Sequence, residues 1–268
     1  MPGWAICRSM TERTDISPVA AIDAGNTHIR VVVRENGLRG KPHRFPTSRA
    51  YSSADLASAL RAAPDIGSSP LGGAVYSSVV KELDPVFDEA LERMTGKKPL
   101  RVSSALATGF ELRYEPPSSL GADRIANAAE AAAAYPGENV LIVDAGTAVT
   151  FCVLLSEKVF DGGLIVPGTG LAADALSTTS KLPRAEIGGN APLVGKNTLD
   201  GIAGGILHGW ASMIEGIASR IEEHYGRRFL LLLTGGCAPM LSERIRREHL
   251  LDQELTVKGL FRLYDLNL

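Results

Sequence analysis

Short apolar runs alternate with helical spacings along this chain, and several of the runs end in a glycine turn. Val19-Ala20-Ala21-Ile22 and Ile29-Arg30-Val31-Val32-Val33 read as two strands joined by a polar turn. Residues 54–63 suit a helix, 73–80 a buried strand ending in a polar turn, and 84–94 a helix with Val86, Phe87, Leu91 and Met94 on one side. Residues 122–135 are mostly alanine, with Asp123 in the first turn and Pro136-Gly137 just beyond, which predicts a strong helix. Val140-Leu141-Ile142-Val143 and Phe151-Cys152-Val153-Leu154-Leu155 form a second strand pair. Gly162 to Gly170 reads as a strand ending in a glycine-rich turn, 202–225 as a long helix that its glycines could break, and 229–236 as a buried strand closed by Thr234-Gly235-Gly236. Strands alternating with helices predict α/β architecture. The loop Glu115-Pro116-Pro117-Ser118-Ser119 marks the expected boundary between a lobe over 19–118 and a lobe over 119–268.

One tripeptide recurs within this pattern. Asp23-Ala24-Gly25-Asn26-Thr27 and Asp144-Ala145-Gly146-Thr147 each stand between two of the predicted strands. A single copy reads as a hairpin turn, since Asp, Gly and Asn are turn residues in any case. Two copies in matching context, with Thr234-Gly235-Gly236 at a third strand end, point to paired lobes that each offer a tight turn to a ligand. Glycine lets a ligand approach the backbone, and successive N–H groups in such turns make anion-binding concavities. A carboxylate cannot hold phosphate directly, so each Asp would act through a hydrated cation. The layout is that of a nucleoside triphosphate clamp closed from two sides.

Composition narrows the field. At 268 residues, 45% hydrophobic and 22% charged, the chain can bury a substantial core. A net charge of −2 argues against a nucleic-acid partner, which calls for clustered Lys and Arg. Arg244, Arg246 and Arg247, flanked by Glu243 and Glu248, read as a solvated helix face of mixed sign. Cys7, Cys152 and Cys237 lack disulfide or zinc spacing and fit a reducing cytoplasm. No apolar run reaches membrane-spanning length, so no membrane association is expected. Residues 1–18 contain Arg8, Glu12, Arg13 and Asp15 without an apolar signal segment and read as a disordered extension, with Met10 an alternative start.

Other segments carry two readings each. Gly121-Ala122-Asp123-Arg124 reads on composition as a helix cap, with the Asp123 carboxylate against unpaired N–H groups. It also reads as a base for a hydroxyl proton, with Arg124 beside it for an anionic substrate. A helix N-terminus keeps a carboxylate ionised, so Asp123 is expected to orient more than to act as a strong base. Gly195-Lys196-Asn197-Thr198 superficially resembles a P-loop, but Asn197 takes the Ser/Thr position, and a loop before a helix is expected. His28, His208 and Cys237 have no partner at ligand spacing and read as structural.

In order, these segments resemble the type III pantothenate kinases, within the fold superfamily of acetate and sugar kinases, heat-shock chaperone ATPases and actin. The resemblance runs from Ala20 to the C-terminus. It rests on Asp23 to Thr27, Tyr76-Ser77-Ser78-Val79-Val80, Tyr114 to Arg124, Asp144 to Ala148, Gly162 to Gly168, Lys181-Leu182-Pro183, Val194 to Thr198 and Leu233 to Gly236. It implies two ribonuclease-H-like lobes with ATP in the cleft between them. Asp23, Ala24, Gly25, Asn26, Thr27, His28, Ile29 and Arg30 match the first phosphate motif, and Thr147 would contact ATP phosphate. Asp144 matches the ligand of a monovalent cation, potassium or ammonium, which acts alongside Mg2+ with ATP. Tyr114, Gly121, Ala122, Asp123, Arg124 and Thr198 match the pantothenate-binding positions, with Asp123 the proton acceptor. The resemblance further implies a cytoplasmic homodimer whose product, 4′-phosphopantothenate, starts coenzyme A synthesis. Two alternatives keep the fold: a kinase of another substrate, or a non-catalytic nucleotide-binding regulator.

Overall fold

A computed structural model describes residues 17–63, 65–66 and 70–268; the expected extension, with Cys7 and Met10, lies outside the described residues except for residues 17 and 18. The apolar run before the first Asp-Ala-Gly forms β1 (Val19–Ala24) and the run after it β2 (His28–Glu35). A short β3 (Leu38–Arg39) and β4 (His43–Pro46) both pair with β2. Helix α1 (Ser53–Arg61) starts at a reciprocal Ser52–Asp55 capping box, which satisfies two otherwise unpaired donors. Next come β5 (Gly73–Ser78), α2 (Asp84–Thr95) and β6 (Leu100–Arg101). The first sheet runs β3-β2-β1-β5-β6, with β1 antiparallel to β2 and parallel to β5.

The second sheet repeats that plan. It is built from β7 (Glu111–Leu112), β8 (Val140–Ala145), β9 (Ala148–Leu155), β10 (Val159–Pro167), β11 (Leu230–Thr234) and β12 (Leu250–Leu251). Its order is β12-β11-β8-β9-β10-β7, with β8 antiparallel to β9 and parallel to β11. A register shift between Phe160 and Gly163 divides β10 into two pairing segments on β9, much as β3 and β4 divide the edge of β2. The chain has therefore built the same five-strand order twice, as expected for two ribonuclease-H-like lobes.

Two helices fill the space between the sheets. The alanine-rich α3 (Ala122–Ala134) and the C-terminal α7 (Leu255–Leu266) share one core with Ala21, Val32 and Val75 of the first sheet and with Ile142, Cys152 and Leu232 of the second. Alanine at Ala126, Ala128 and Ala129 lets the helix backbones come close: a Cβ on Gly259 would stand 1.9 Å from the carbonyl oxygen of Ala126. Polar contacts then fasten α7 to the first sheet. Arg34 grips Asp265 through both guanidinium ends, at 2.7 and 2.5 Å, while its carbon lies 4.7 Å from the centre of the Phe261 ring. Fork-to-fork pairing of this kind combines charge with fixed geometry.

The outer face of the second sheet carries α4 (Thr169–Thr179), α5 (Thr198–Tyr225) and the short α6 (Ala238–Ser242). Helix α5 is unbroken over 28 residues. Its glycines do not end it, and at Gly204 the missing side chain admits a neighbour, since a Cβ there would meet the Pro192 carbonyl oxygen at 2.1 Å. The arginine stretch corrects the sequence reading, for residues 243–249 are not helical. Glu215 of α5 accepts the backbone N–H groups of Arg246 and Arg247 at 2.6 and 3.0 Å, and the Arg247 guanidinium pairs with Glu222. Side chains from α5 thus take the bonds that a helix would have made. No helix among the described residues is long and apolar enough to cross a membrane.

Candidate active site

The two Asp-Ala-Gly turns meet. Each Asp is the penultimate residue of the central strand of its sheet, Asp23 opposite Ser77 and Asp144 opposite Thr234 on the parallel neighbours. The turns close alike: the Gly25 N–H donates to the His28 carbonyl, and the Gly146 N–H to the Ala148 carbonyl, both at 3.0 Å. The carbonyls of Thr27 and Thr147 are each bound from the strand edge, by the N–H groups of Thr47 and Gly168, again at 3.0 Å. At the tips the hydroxyls of Thr27 and Thr147 lie 3.2 Å apart, joining residues 120 positions apart in sequence. Gly235, at φ +94°, belongs to the same convergence; a Cβ there would stand 2.4 Å from Asp144 Oδ1.

Each strand-end carboxylate has a donor behind it. Ser77 Oγ donates to Asp23 Oδ1 at 2.7 Å, and Asn127 Nδ2 donates to Asp144 Oδ2 at 3.0 Å. Asp123 stands at the start of α3, where its Oδ1 accepts the Arg124 N–H at 2.8 Å. Gly121 makes room for this, since a Cβ would come within 2.5 Å of that oxygen. Arg124 is 4% exposed. Its Nε donates to Cys152 Sγ at 3.1 Å, its Nη1 to the Tyr114 hydroxyl at 3.4 Å, and the Tyr114 and Phe160 rings lie 5.4 and 5.5 Å from its carbon. Its Nη2 is buried without a partner. A guanidinium with an unfilled donor and no carboxylate in contact has the chemistry to receive an anionic group.

Burial sets the electrostatics. The Asp23 carboxyl is pushed up to about 6, chiefly by removal from water, with Asp123 adding and Ser77 opposing. Asp144 is pushed up to about 7 by burial, with the charges of Asp123 and Asp23 adding. Asp123 is raised as well, because its desolvation outweighs the helix N–H groups and Arg124. Its carboxyl thus holds a proton more readily than the helix terminus alone would lead one to expect. Among the described residues no basic side chain pairs with Asp144, and no cluster of three His, Cys, Asp or Glu forms a metal cage. A bound cation would therefore draw on one carboxylate plus backbone and phosphate oxygens, a donor set suited to hard cations.

The remaining sequence-derived residues divide. Ala24 and Ile29 are buried beneath the first turn, while Asn26 and Thr27 are exposed at its tip. His28 Nδ1 lies 3.0 Å from Arg44 Nη2, and Arg30 donates to the Gln253 carbonyl at 2.7 Å. Gly195 to Thr198 is a loop before α5, as read, with Asn197 capping the Asp200 N–H at 2.9 Å. Thr198 is exposed and no hydrogen bond joins it to Asp123 or Arg124. His208 bonds the Ala191 carbonyl, in keeping with a structural role. Sequence reasoning missed Asn127, a lone amide in an apolar helix one turn beyond Asp123; that isolation was the available signal. A separate cavity of about 660 Å³ opens beside Arg34, Arg39, Lys258 and Arg262. Those four are paired with Asp265, Glu254, Asp252 and Glu130, so it offers no uncompensated charge.

A model of the type III pantothenate kinase family matches residues 19–220. A type III pantothenate kinase of Bacillus cytotoxicus is 37% identical over 257 residues, covering 93% of this chain and 96% of that one. Among solved structures, a Campylobacter jejuni protein described as a Baf family transcriptional activator superposes with a TM-score of 0.57 at 19% identity, covering 92% and 97% of the two chains. Component A of (R)-2-hydroxyglutaryl-CoA dehydratase from Acidaminococcus fermentans gives 0.56 at 14% identity, with the same coverage. These two likenesses show a shared fold.

The raised carboxyls predict a pH signature. A carboxyl whose folded-state pKa exceeds its unfolded value binds protons on folding, so its burden is absent at low pH and grows as pH rises. For Asp144 the window runs from 3.8 to about 7. In a buffer free of metal cations and substrates, Asp144→Asn should melt above the native chain at pH 8, and the gap should close by about pH 4. Thermal midpoints that differ equally at both ends would show that Asp144 carries no such burden.

Proposed function

The chain belongs to the type III pantothenate kinases, and from that premise we propose how its own residues carry out the phosphorylation of pantothenate by ATP for coenzyme A synthesis. The carrying observation is the meeting of Thr27 and Thr147, with three carboxylates gathered behind them. Phosphoryl transfer needs little covalent help from a protein; positioning and charge neutralisation supply most of the catalysis. The backbone of residues 23–30 and the Thr147 hydroxyl hold the ATP phosphates in this reading. A monovalent cation at Asp144 and Mg2+ on the phosphates would neutralise charge that these acidic turns leave unbalanced.

Asp123 is the proton acceptor. The pantothenate 4′-hydroxyl oxygen attacks the γ-phosphorus, its proton passes to the Asp123 carboxylate, and ADP leaves. Burial raises the basicity of Asp123 in the direction this step requires. Arg124 takes the pantothenate carboxylate, supported by its buried, unfilled Nη2, with Tyr114, Gly121 and Ala122 shaping the same pocket. Thr198 joins from a second subunit's vicinity in a homodimer. Its surroundings support that arrangement, because Leu193, Val194 and Leu199, within five residues of it in sequence, are 48–72% exposed. The compartment in this reading is the cytoplasm, consistent with Cys152 and Cys237 as free thiols.

Coupled ADP release, with and without pantothenate and in potassium then sodium, tests the reading; turnover indifferent to pantothenate would refute the substrate. Asp123→Asn should lower turnover by about 10²–10⁴-fold with little change in melting temperature. Near-normal turnover would remove Asp123 from the chemistry. Arg124→Met keeps most of the packing and should raise the KM for pantothenate far more than that for ATP; an unchanged KM would sink the carboxylate contact. Light scattering should give twice the 28.4 kDa chain mass, and a single-chain mass would refute the homodimer.

A further inference from the structure

Asn127 is 1% exposed and sits on α3 among Ile125, Ala126, Ala128 and Ala129, where packing alone has no use for an amide. A buried amide is costly unless its ends are bonded. Both are: Nδ2 donates to Asp144 Oδ2 at 3.0 Å, and Oδ1 accepts the Thr256 hydroxyl at 2.8 Å. Thr256 lies in the first turn of α7 and is itself 9% exposed. Its hydroxyl proton fixes which way the amide faces, so Nδ2 is turned towards the carboxylate. The other Asp144 oxygen, Oδ1, is left against the turns, 2.4 Å from where a Gly235 Cβ would stand and 3.8 Å from one on Gly146.

We infer that Thr256 and Asn127 are positioning residues for phosphoryl transfer: they tie down one oxygen of Asp144 and aim the other at the phosphate turns. The inference rests on the reading of Asp144 as the carboxylate that serves the monovalent cation. It makes α7 part of the site through the Thr256 hydroxyl and Asn127. The two lobes differ here. Asp23 is steadied by Ser77 of the adjacent strand, whereas Asp144 is steadied by a relay through two helices. Groups that orient a ligating side chain commonly matter nearly as much as the ligand itself.

Thr256→Val removes the hydroxyl at nearly constant volume, and Thr256→Ser returns it. Two readouts on the full chain apply: the potassium concentration that half-activates pantothenate-dependent ADP release, and the rise in melting temperature in potassium chloride over tetramethylammonium chloride at equal ionic strength, without substrates. Thr256→Val should raise the half-activating concentration about tenfold and shrink the potassium-specific melting shift, with Thr256→Ser close to the native chain. The KM for pantothenate should stay within about twofold, which a general loosening of the fold would not respect. A half-activating concentration and melting shift unchanged in Thr256→Val would overturn the relay. Should that variant fail to fold, Thr256→Ala is read by the same criterion. If Asp144→Asn responds to potassium as the native chain does, the cation reading of Asp144 fails, and that result is distinct from failure of the relay alone.

Discussion

Three carboxylates of like charge are held out of water where two sheets converge, and the rest of the molecule is arranged around that adverse fact. Asp23 and Asp144 are raised well above the ordinary carboxylate range, chiefly by removal from water, with the charge of Asp123 adding to both. The protein answers with neutral donors, Ser77 and Asn127, which steady the carboxylates without cancelling their charge. A basic residue there would stabilise the empty protein and would also compete with cations and repel nothing that needs excluding. At the two acidic turns resting stability is thus traded for electrostatic readiness.

Arg124 presents the opposite case in the same core. It is buried against a thiol and two aromatic rings, with no carboxylate in contact. Cationic and anionic groups therefore sit within one helical turn on α3, each left partly unanswered. Their separation along the helix start gives the site a direction that neither group alone would specify.

Much of this was legible in the chain because it is locally encoded. The strand pairs around Asp23 and Asp144 follow from apolar runs interrupted by Asp-Ala-Gly, and the turns need glycine for reasons internal to the turn. What could not be read depends on partners far away. The basicity of Asp123 reverses the local rule for a helix terminus because α3 is sunk between two sheets. The arginines at 244, 246 and 247 lose their helix to Glu215 and Glu222 of another element. Helix α7 has no counterpart in the sequence reading, and its Gly259 finds its reason only in the Ala126 backbone pressed against it. Asn127 was visible as an oddity, but its meaning required Thr256, 129 residues on.

The bond between Arg34 and Asp265 spans 231 positions, and it seals the first sheet with the last helix. Until that helix docks, the inner face of the first sheet, with Ala21, Val32 and Val75, lacks part of its cover. The first sheet is therefore completed only by a contact that closes a loop of 231 positions. Both Asp-Ala-Gly turns lie far from that wedge in sequence, yet the sheets that carry them share its core. The two sheets are in this sense closed by a single clasp, and the folding of one half draws on the other.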